Sequence, residues 1–160
     1  MLRRASPPPD PSTVEIRRLV VASEGRPISH EVIVRALELA RPLGARIFVI
    51  SIARVWGTSL GFPNPGLLPS KREWDVQRLQ VREAVSAFEK AGFEASGLVL
   101  ATRRAAKRII RESELREMDA IVMGGDRDRG LRGDFSWSQE AHRVARRSKR
   151  IPVYLVTPPG

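Results

Sequence analysis

The chain predicts an α/β fold, a five-stranded parallel sheet covered by helices on both faces to give three layers. Five short apolar runs alternate with four helical patterns along the 160 residues, and that alternation calls for right-handed crossovers between parallel strands. The runs are continuously apolar rather than alternating, as strands buried on both faces require. Helix start and stop residues also fall between the runs, where such a fold needs them.

Residues 1–14, with Pro7, Pro8, Pro9 and Pro11, predict a disordered or extended lead-in, leaving one domain over 15–157. Residues 18–22 read as the first strand and end in Ser23-Glu24-Gly25. Ser29 is placed to cap a helix with Ile33, Ala36, Leu37, Ala40 and Leu43 on one face, and Gly44 closes it. Residues 47–52 form the second apolar run. The stretch 55–69 is irregular, rich in glycine and proline, and is either a packed flap held by Trp56, Leu60 and Phe62 or a binding loop.

Ser70 with Glu73 is a capping-box spacing that opens a long amphipathic helix through Leu79, Ala84, Val85, Phe88 and Ala91, stopped at Gly92. Residues 97–101 predict the third strand. The next helix turns Ala105, Ala106, Ile109 and Ile110 inward and its basic residues outward. Residues 119–123 are the fourth strand. After a glycine-containing loop, Ala141, Val144 and Ala145 mark a short last helix, and residues 151–156 are the fifth strand.

Composition narrows the chemistry. Cysteine is absent, so disulfides, thiolate catalysis and cysteine metal sites are excluded. No apolar run approaches the roughly 18 residues of a membrane span, and Arg3-Arg4 precede prolines instead of an apolar stretch. A soluble cytoplasmic protein is expected. The net charge is +10, and only four of the 28 basic residues are lysine. Arginine forks match phosphate, yet acidic residues are interspersed over much of the chain, which favours solvated faces over a polyanion site. Two acid-free runs, Arg103 to Arg111 and Arg143 to Arg150, each carry five positive charges. They keep a polyanion-binding or nucleic-acid-binding function open as an alternative, with little aromatic interleaving for base stacking. Nucleic acid is the less favoured partner.

The stretch 119–138 carries most of the functional information. A buried strand ends at Met123, meets Gly124-Gly125, and passes through a loop with Gly130 and Gly133 to Ser136, which has Gln139 three residues on. Backbone N–H groups of such a strand, glycine turn and helix start can cradle a phosphate, with Ser138 as a second hydroxyl. Arg103, Arg104, Arg127, Arg129 and Arg132 follow the third and fourth strands and are candidates to hold an anion by their guanidiniums. Asp126 and Asp128 are placed to hold Mg²⁺ beside a phosphate, against the commoner reading as solvated carboxylates paired with arginine. His30 and His142 have no ligand or nucleophile spacing around them. No P-loop, nucleophile elbow, paired catalytic carboxylates or zinc spacing occurs, so neither a catalyst nor a metal site is expected.

The segments Asp119-Ala-Ile-Val-Met-Gly124 and Gly130-Leu131-Arg132, with Ala36-Leu-Glu-Leu-Ala40, Val144 and the ending Ile151-Pro152-Val153, resemble the universal stress protein family over residues 16–156. The resemblance implies a Rossmann-like sheet of order 3-2-1-4-5, a cleft between the first and fourth strands, and a stress-response binding or signalling role. The family's nucleotide-binding branch has Gly, two residues, Gly, nine residues, then Gly followed by Ser or Thr. Gly124 matches the first position, but Arg127 and Trp137 stand at the other two glycines, and Ser23, a candidate contact for a nucleotide or anion, stands where the family has an Asp. A side chain there blocks close backbone approach to phosphate. ATP or another adenine nucleotide is therefore a disfavoured cofactor, expected to bind weakly or not at all, and ATP or AMP held by an arginine-rich site is the alternative. The resemblance also implies a homodimer through the fifth strand. There Val153, Tyr154, Leu155 and Val156 form an uncharged edge strand whose free backbone groups invite pairing.

Overall fold

The computed structural model describes residues 14–54, 58–59, 62–63, 69–125 and 137–157, with the side chains of 58–59, 62–63 and 137–139 left aside. Five parallel strands form one sheet: β1 (Arg18–Ser23), β2 (Arg46–Arg54), β3 (Ala95–Thr102), β4 (Ala120–Gly124) and β5 (Val153–Val156). Their spatial order is β3-β2-β1-β4-β5, as the resemblance implies. Leu19 of β1 lies opposite both Ile47 of β2 and Ala120 of β4, so β1 is central and paired on both sides.

Strand side chains alternate between the two faces, and each face has its own core. Leu19, Val21, Ile47 and Val49 point to the layer formed by α1 (His30–Ala40) and α2 (Lys71–Lys90). Val20, Ala22, Ile50 and Ile121 point to the layer formed by α3 (Ala105–Leu115) and α4 (Trp137–Arg147). Burial on both faces explains the unbroken apolar runs.

Ser29 and Ser70 form the caps expected of them, while Ser136 lies outside the described residues. Ser29 Oγ accepts from the Val32 N–H at 3.3 Å and Ser70 Oγ from the Glu73 N–H at 3.1 Å, each satisfying an orphan donor of a first turn. Gly44, at φ 62°, ends the α1 region in the left-handed conformation that glycine adopts without a Cβ penalty.

Several expected inward residues lie elsewhere. Leu43 is 45% exposed, because α1 ends at Ala40 and Pro42, lacking an N–H, tightens residues Arg41–Leu43 into a 3₁₀ turn. Leu79 is 51% exposed and Ala91 is also exposed. The buried stripe of α2 is instead Gln77, Val81, Ala84 and Phe88, and Leu79 falls on the opposite side of the helix from Gln77. A polar residue holds the inward position because its amide is fully engaged, as described below.

The third strand is longer than the apolar run suggests, extending to Ala95 and Thr102. The fifth starts at Val153, since Pro152 has no N–H to donate, although its carbonyl still accepts from Ile121 at 3.0 Å. The 55–69 stretch, expected to be irregular, contains a two-residue antiparallel pairing of Thr58–Ser59 with Phe62–Pro63. Trp56 and Leu60 lie outside the described residues, and Phe62 is described only as backbone.

One glycine sets a helix-to-sheet distance. A Cβ on Gly97 of β3 would stand 2.5 Å from Val81 Cγ1 and 2.8 Å from the Val49 carbonyl oxygen. Its absence lets α2 settle directly on β2 and β3.

Candidate functional site

In open parallel sheets ligands bind at the carboxyl ends of the strands where the strand order reverses, here between β1 and β4. The chain leaves β1 in a tight turn closed by Ser23, whose Oγ donates to the Arg26 carbonyl and accepts from the Gly25 N–H at 3.1 Å. This turn buries Glu24 completely. Arg26 Nε donates to Glu24 Oε1, and the Arg54 Nε donates to the Glu24 carbonyl at 2.9 Å. Burial pushes the Glu24 carboxyl above its ordinary range, and the bond and charge of Arg26, with the charge of Arg54, pull the other way. Glu24 Oε2 makes no hydrogen bond among the described residues.

Two glutamines on α2 hold this turn from below. Gln77 Oε1 accepts from the buried Ser51 hydroxyl, while Gln77 Nε2 donates to the Gly25 carbonyl at 3.1 Å. Gln80 Nε2 donates to the Arg26 carbonyl at 2.8 Å, and its Oε1 accepts from the Ile28 N–H at 3.1 Å. With buried polar groups satisfied in this way, the turn is tied to α2 and aims Arg26 towards β4. There the Arg26 Cδ would lie 3.4 Å, and its Nη1 3.8 Å, from a Cβ on Gly124. The cleft end of β4 therefore has a guanidinium stem packed directly on its last residue.

A second concavity, of about 360 Å³, opens at the amino ends of β1, β2 and β3 and is lined by Arg18, Arg46, Phe48, Glu94 and Arg116 among others. It lies at the opposite end of the sheet from the switch point. Its arginines are paired with Glu117, Glu94 and Glu112, and Arg116 stacks on Phe48 with 4.1 Å to the ring centroid. The β1–β4 end remains the better candidate. At the opposite, amino end of the same two strands, Asp119 Oδ2 accepts from the Arg17 and Arg18 N–H groups, both at 2.9 Å, and so fastens the start of β1 to the start of β4.

The model of the universal stress protein family matches residues 15–157. This chain belongs to that family. A universal stress protein family structure from Burkholderia pseudomallei aligns with a TM-score of 0.64 at 21% identity, covering 88% of this chain and 96% of that one. The universal stress protein of Archaeoglobus fulgidus in complex with dAMP aligns at 0.60 with 21% identity, over 89% and 98% of the two chains. One from Arabidopsis thaliana with AMP bound aligns at 0.55 with 14% identity, over 90% and 93%. No curated protein matches the chain in sequence.

Within this universal stress protein, Ser23 and Gly124 stand side by side at the ends of adjacent strands, one step beyond the paired Ala22 and Met123. The hydroxyl of Ser23, read from sequence as a candidate contact, is instead spent inside its own turn. The Met123 side chain is fully buried in the core beneath α3 and α4, so it offers a ligand nothing but backbone. The Gly125 N–H, expected in a phosphate cradle, donates to the Val156 carbonyl at 2.9 Å and extends the β4–β5 ladder. Arg127, Arg129 and Ser136, with Asp126, Asp128 and Arg132, lie outside the described residues. Ser138 falls in the first turn of α4, described only as backbone. Arg103 and Arg104 are exposed just past the end of β3, with β2 and β1 standing between it and β4.

Sequence reasoning passed over Glu24, Arg26, Gln77 and Gln80. One signal was available: Ser51 interrupts an otherwise apolar strand, and a polar residue in a doubly buried strand needs a polar partner. Nothing local marks Glu24 as buried. Among the described residues no group of acidic or histidine side chains is placed to hold a metal, and no helix is long and apolar enough to cross a membrane.

Proposed function

We propose that this universal stress protein is a dimeric binding or signalling module, not a catalyst, and that it binds ATP weakly or not at all. The observation that carries this reading is the packing of Arg26 against Gly124, with the guanidinium anchored on the buried Glu24. A nucleotide approaching the end of β4 must displace a charged side chain from its partner, and stranding a buried carboxylate costs several kcal/mol by the usual measure of ~3–5 for broken buried pairs. The commitment of the Gly125 N–H to β5 supports the same conclusion, as do the side chains of Arg127 and Trp137 at motif glycine positions.

The described solved relatives with dAMP and AMP keep a second reading in play, in which arginines replace glycine amides as the phosphate holder. Arg26 is the residue that favours it, because its guanidinium already stands at the end of β4. Calorimetric titration with ATP and with AMP separates the two. The expected result is a dissociation constant far weaker than about 1 μM, the affinity that corresponds to some −8 kcal/mol. An affinity at or below that value overturns the first reading, and its loss in Arg26→Ala would establish the second. Steady ATP hydrolysis that co-purifies with the protein would overturn the non-catalytic assignment.

A further inference from the structure

The two acid-free basic runs are 40 residues apart in sequence but meet on one face of the molecule. On α3, Lys107, Arg108 and Arg111 recur at spacings that form one helical stripe, opposite the buried Ala105, Ala106 and Ile109. On α4, Arg143, Arg146 and Arg147 form a second stripe opposite the buried Ala141 and Val144. All six cations are exposed. The helices pack side by side on the same core, and the Ala106 N–H of one donates to Glu140 Oε2 of the other at 3.3 Å. Their buried sides both face the sheet, so both stripes face outward together.

Of the three acids on α3 and α4, two are sunk beneath the cations, and only Glu114 is exposed beside the α3 stripe. Glu112 and Glu140 side chains are 14% and 16% exposed, whereas their partners Arg108 and Arg143 are 44% and 47% exposed. Lys107, Arg111, Arg146 and Arg147 form no ion pair among the described residues. The opposite layer is built differently. There Glu31, Glu38, Asp75, Glu83 and Glu89 are exposed between the arginines of α1 and α2, so its outward field is mixed. Uniform arginine enrichment does not produce this asymmetry between layers.

We infer that the α3–α4 face is a docking surface for a nucleic-acid duplex, engaged through its phosphate backbone without regard to base sequence. Paired rows of guanidiniums suit phosphate oxygens, and the spacing of packed helices, about 8–10 Å, lets both rows contact one duplex. Among the described side chains no aromatic lies on the stripes and Leu115, 68% exposed at the end of α3, is the single large aliphatic there, so the face offers no base stacking and far less than the continuous apolar face that holds a helix on a membrane. Positioning contacts without base readout are the chemistry that remains. This surface is independent of the β1–β4 end and of any nucleotide bound there.

The test is fluorescence anisotropy with a labelled 20-base-pair DNA duplex, a length of about 68 Å at the 3.4 Å rise per step. Saturable binding is expected at about 50 mM salt, weakening steeply as salt rises because contacted phosphates release counterions. The triple variant Lys107→Gln, Arg111→Gln, Arg146→Gln should bind at least tenfold more weakly, with a salt slope lower by about 2 to 3, roughly 0.9 per lost phosphate contact. The control Arg72→Gln, Arg78→Gln, Arg82→Gln removes the same charge from α2 and should change affinity less than threefold. Equal losses in the two variants, no saturable binding at low salt, or binding to anionic vesicles but not to the duplex would each overturn the proposal. Should the first variant fail to fold, amide shift mapping on the unaltered protein decides, with perturbations on α3 and α4 supporting it and perturbations on α1 and α2 overturning it.

Discussion

Arg26 closes on the fully buried Glu24 and, from that anchor, lays its side chain against Gly124 of the neighbouring strand. The ion pair lies within the turn after β1, and the arginine stem carries it to the end of the neighbouring β4. Its partners differ in accessibility, with Arg26 12% and Glu24 0% exposed at the side chain. Most of the desolvation cost therefore falls on the carboxylate, and Arg26 is what makes its charge tolerable.

Replacing Arg26 with methionine should destabilise the protein in a pH-dependent way. The Glu24 carboxyl is already raised by burial in the folded chain. A raised carboxyl contributes stability that is full below the unfolded value, near 4.3, and is lost as pH climbs through the folded value. Loss of the guanidinium raises the folded value further, so the deficit of Arg26→Met relative to wild type should grow from pH 5 to pH 8. Urea unfolding at the two pH values measures it, with about 3 kcal/mol expected at pH 8. A deficit that is the same at both would show that Glu24 ionisation is not what Arg26 supports.

Gly97→Ala tests the close approach of α2 to the sheet. The added methyl meets Val81 Cγ1 and the Val49 carbonyl oxygen, and a backbone oxygen cannot rotate away as a side chain can. Overpacking of this kind costs about 1–3 kcal/mol. Val81→Ala in the same chain should recover only part of the loss, because the carbonyl contact stays. Full recovery in thermal melts would mean that the Val49 backbone yields.

The β5 edge tests assembly. β5 pairs with β4 on one side only and ends the sheet. Tyr154 and Val156 pack towards the α1–α2 core, and Val153 and Leu155 towards the α3–α4 core. All four side chains are half-buried, and Arg35 lies over the Tyr154 ring at 5.6 Å. Two-fold pairing of β5 strands would satisfy the edge backbone and cover this uncharged strip. Light scattering after size exclusion at about 50 μM, well above the micromolar range of ordinary specific association, should give twice the chain mass. Tyr154→Lys should give a single-chain mass with retained helical circular dichroism, since it sets like charges across the two-fold axis. A monomer in the unaltered protein would end the dimer proposal.

How far the site was legible follows from how local each cue is. Ser29 and Ser70 are caps by virtue of residues three positions away, and the structure uses both as caps. Gln77 reads as a polar residue on an amphipathic helix. It turns inward because Ser51 and the Gly25 carbonyl, from two other elements, supply partners for its amide. Leu79 reads as core by composition and is half-exposed because no sheet surface lies on its side of α2. Ser23 and the Gly125 N–H look available to a ligand, yet each is consumed by a bond made inside the fold.

The sequence by itself determined the parallel α/β architecture, because doubly buried strands and capped amphipathic helices are written in residue periods that span only a few positions. It also determined the uncharged fifth strand and the loss of the family's glycine spacing, both properties of residue identity alone. Only the tertiary structure decided that Glu24 is buried and held by Arg26, that Arg26 meets Gly124, and that two distant basic runs share one face. Those facts depend on which elements become neighbours across the sheet. Desolvation and charge act through space between such neighbours, and sequence separation carries no record of them.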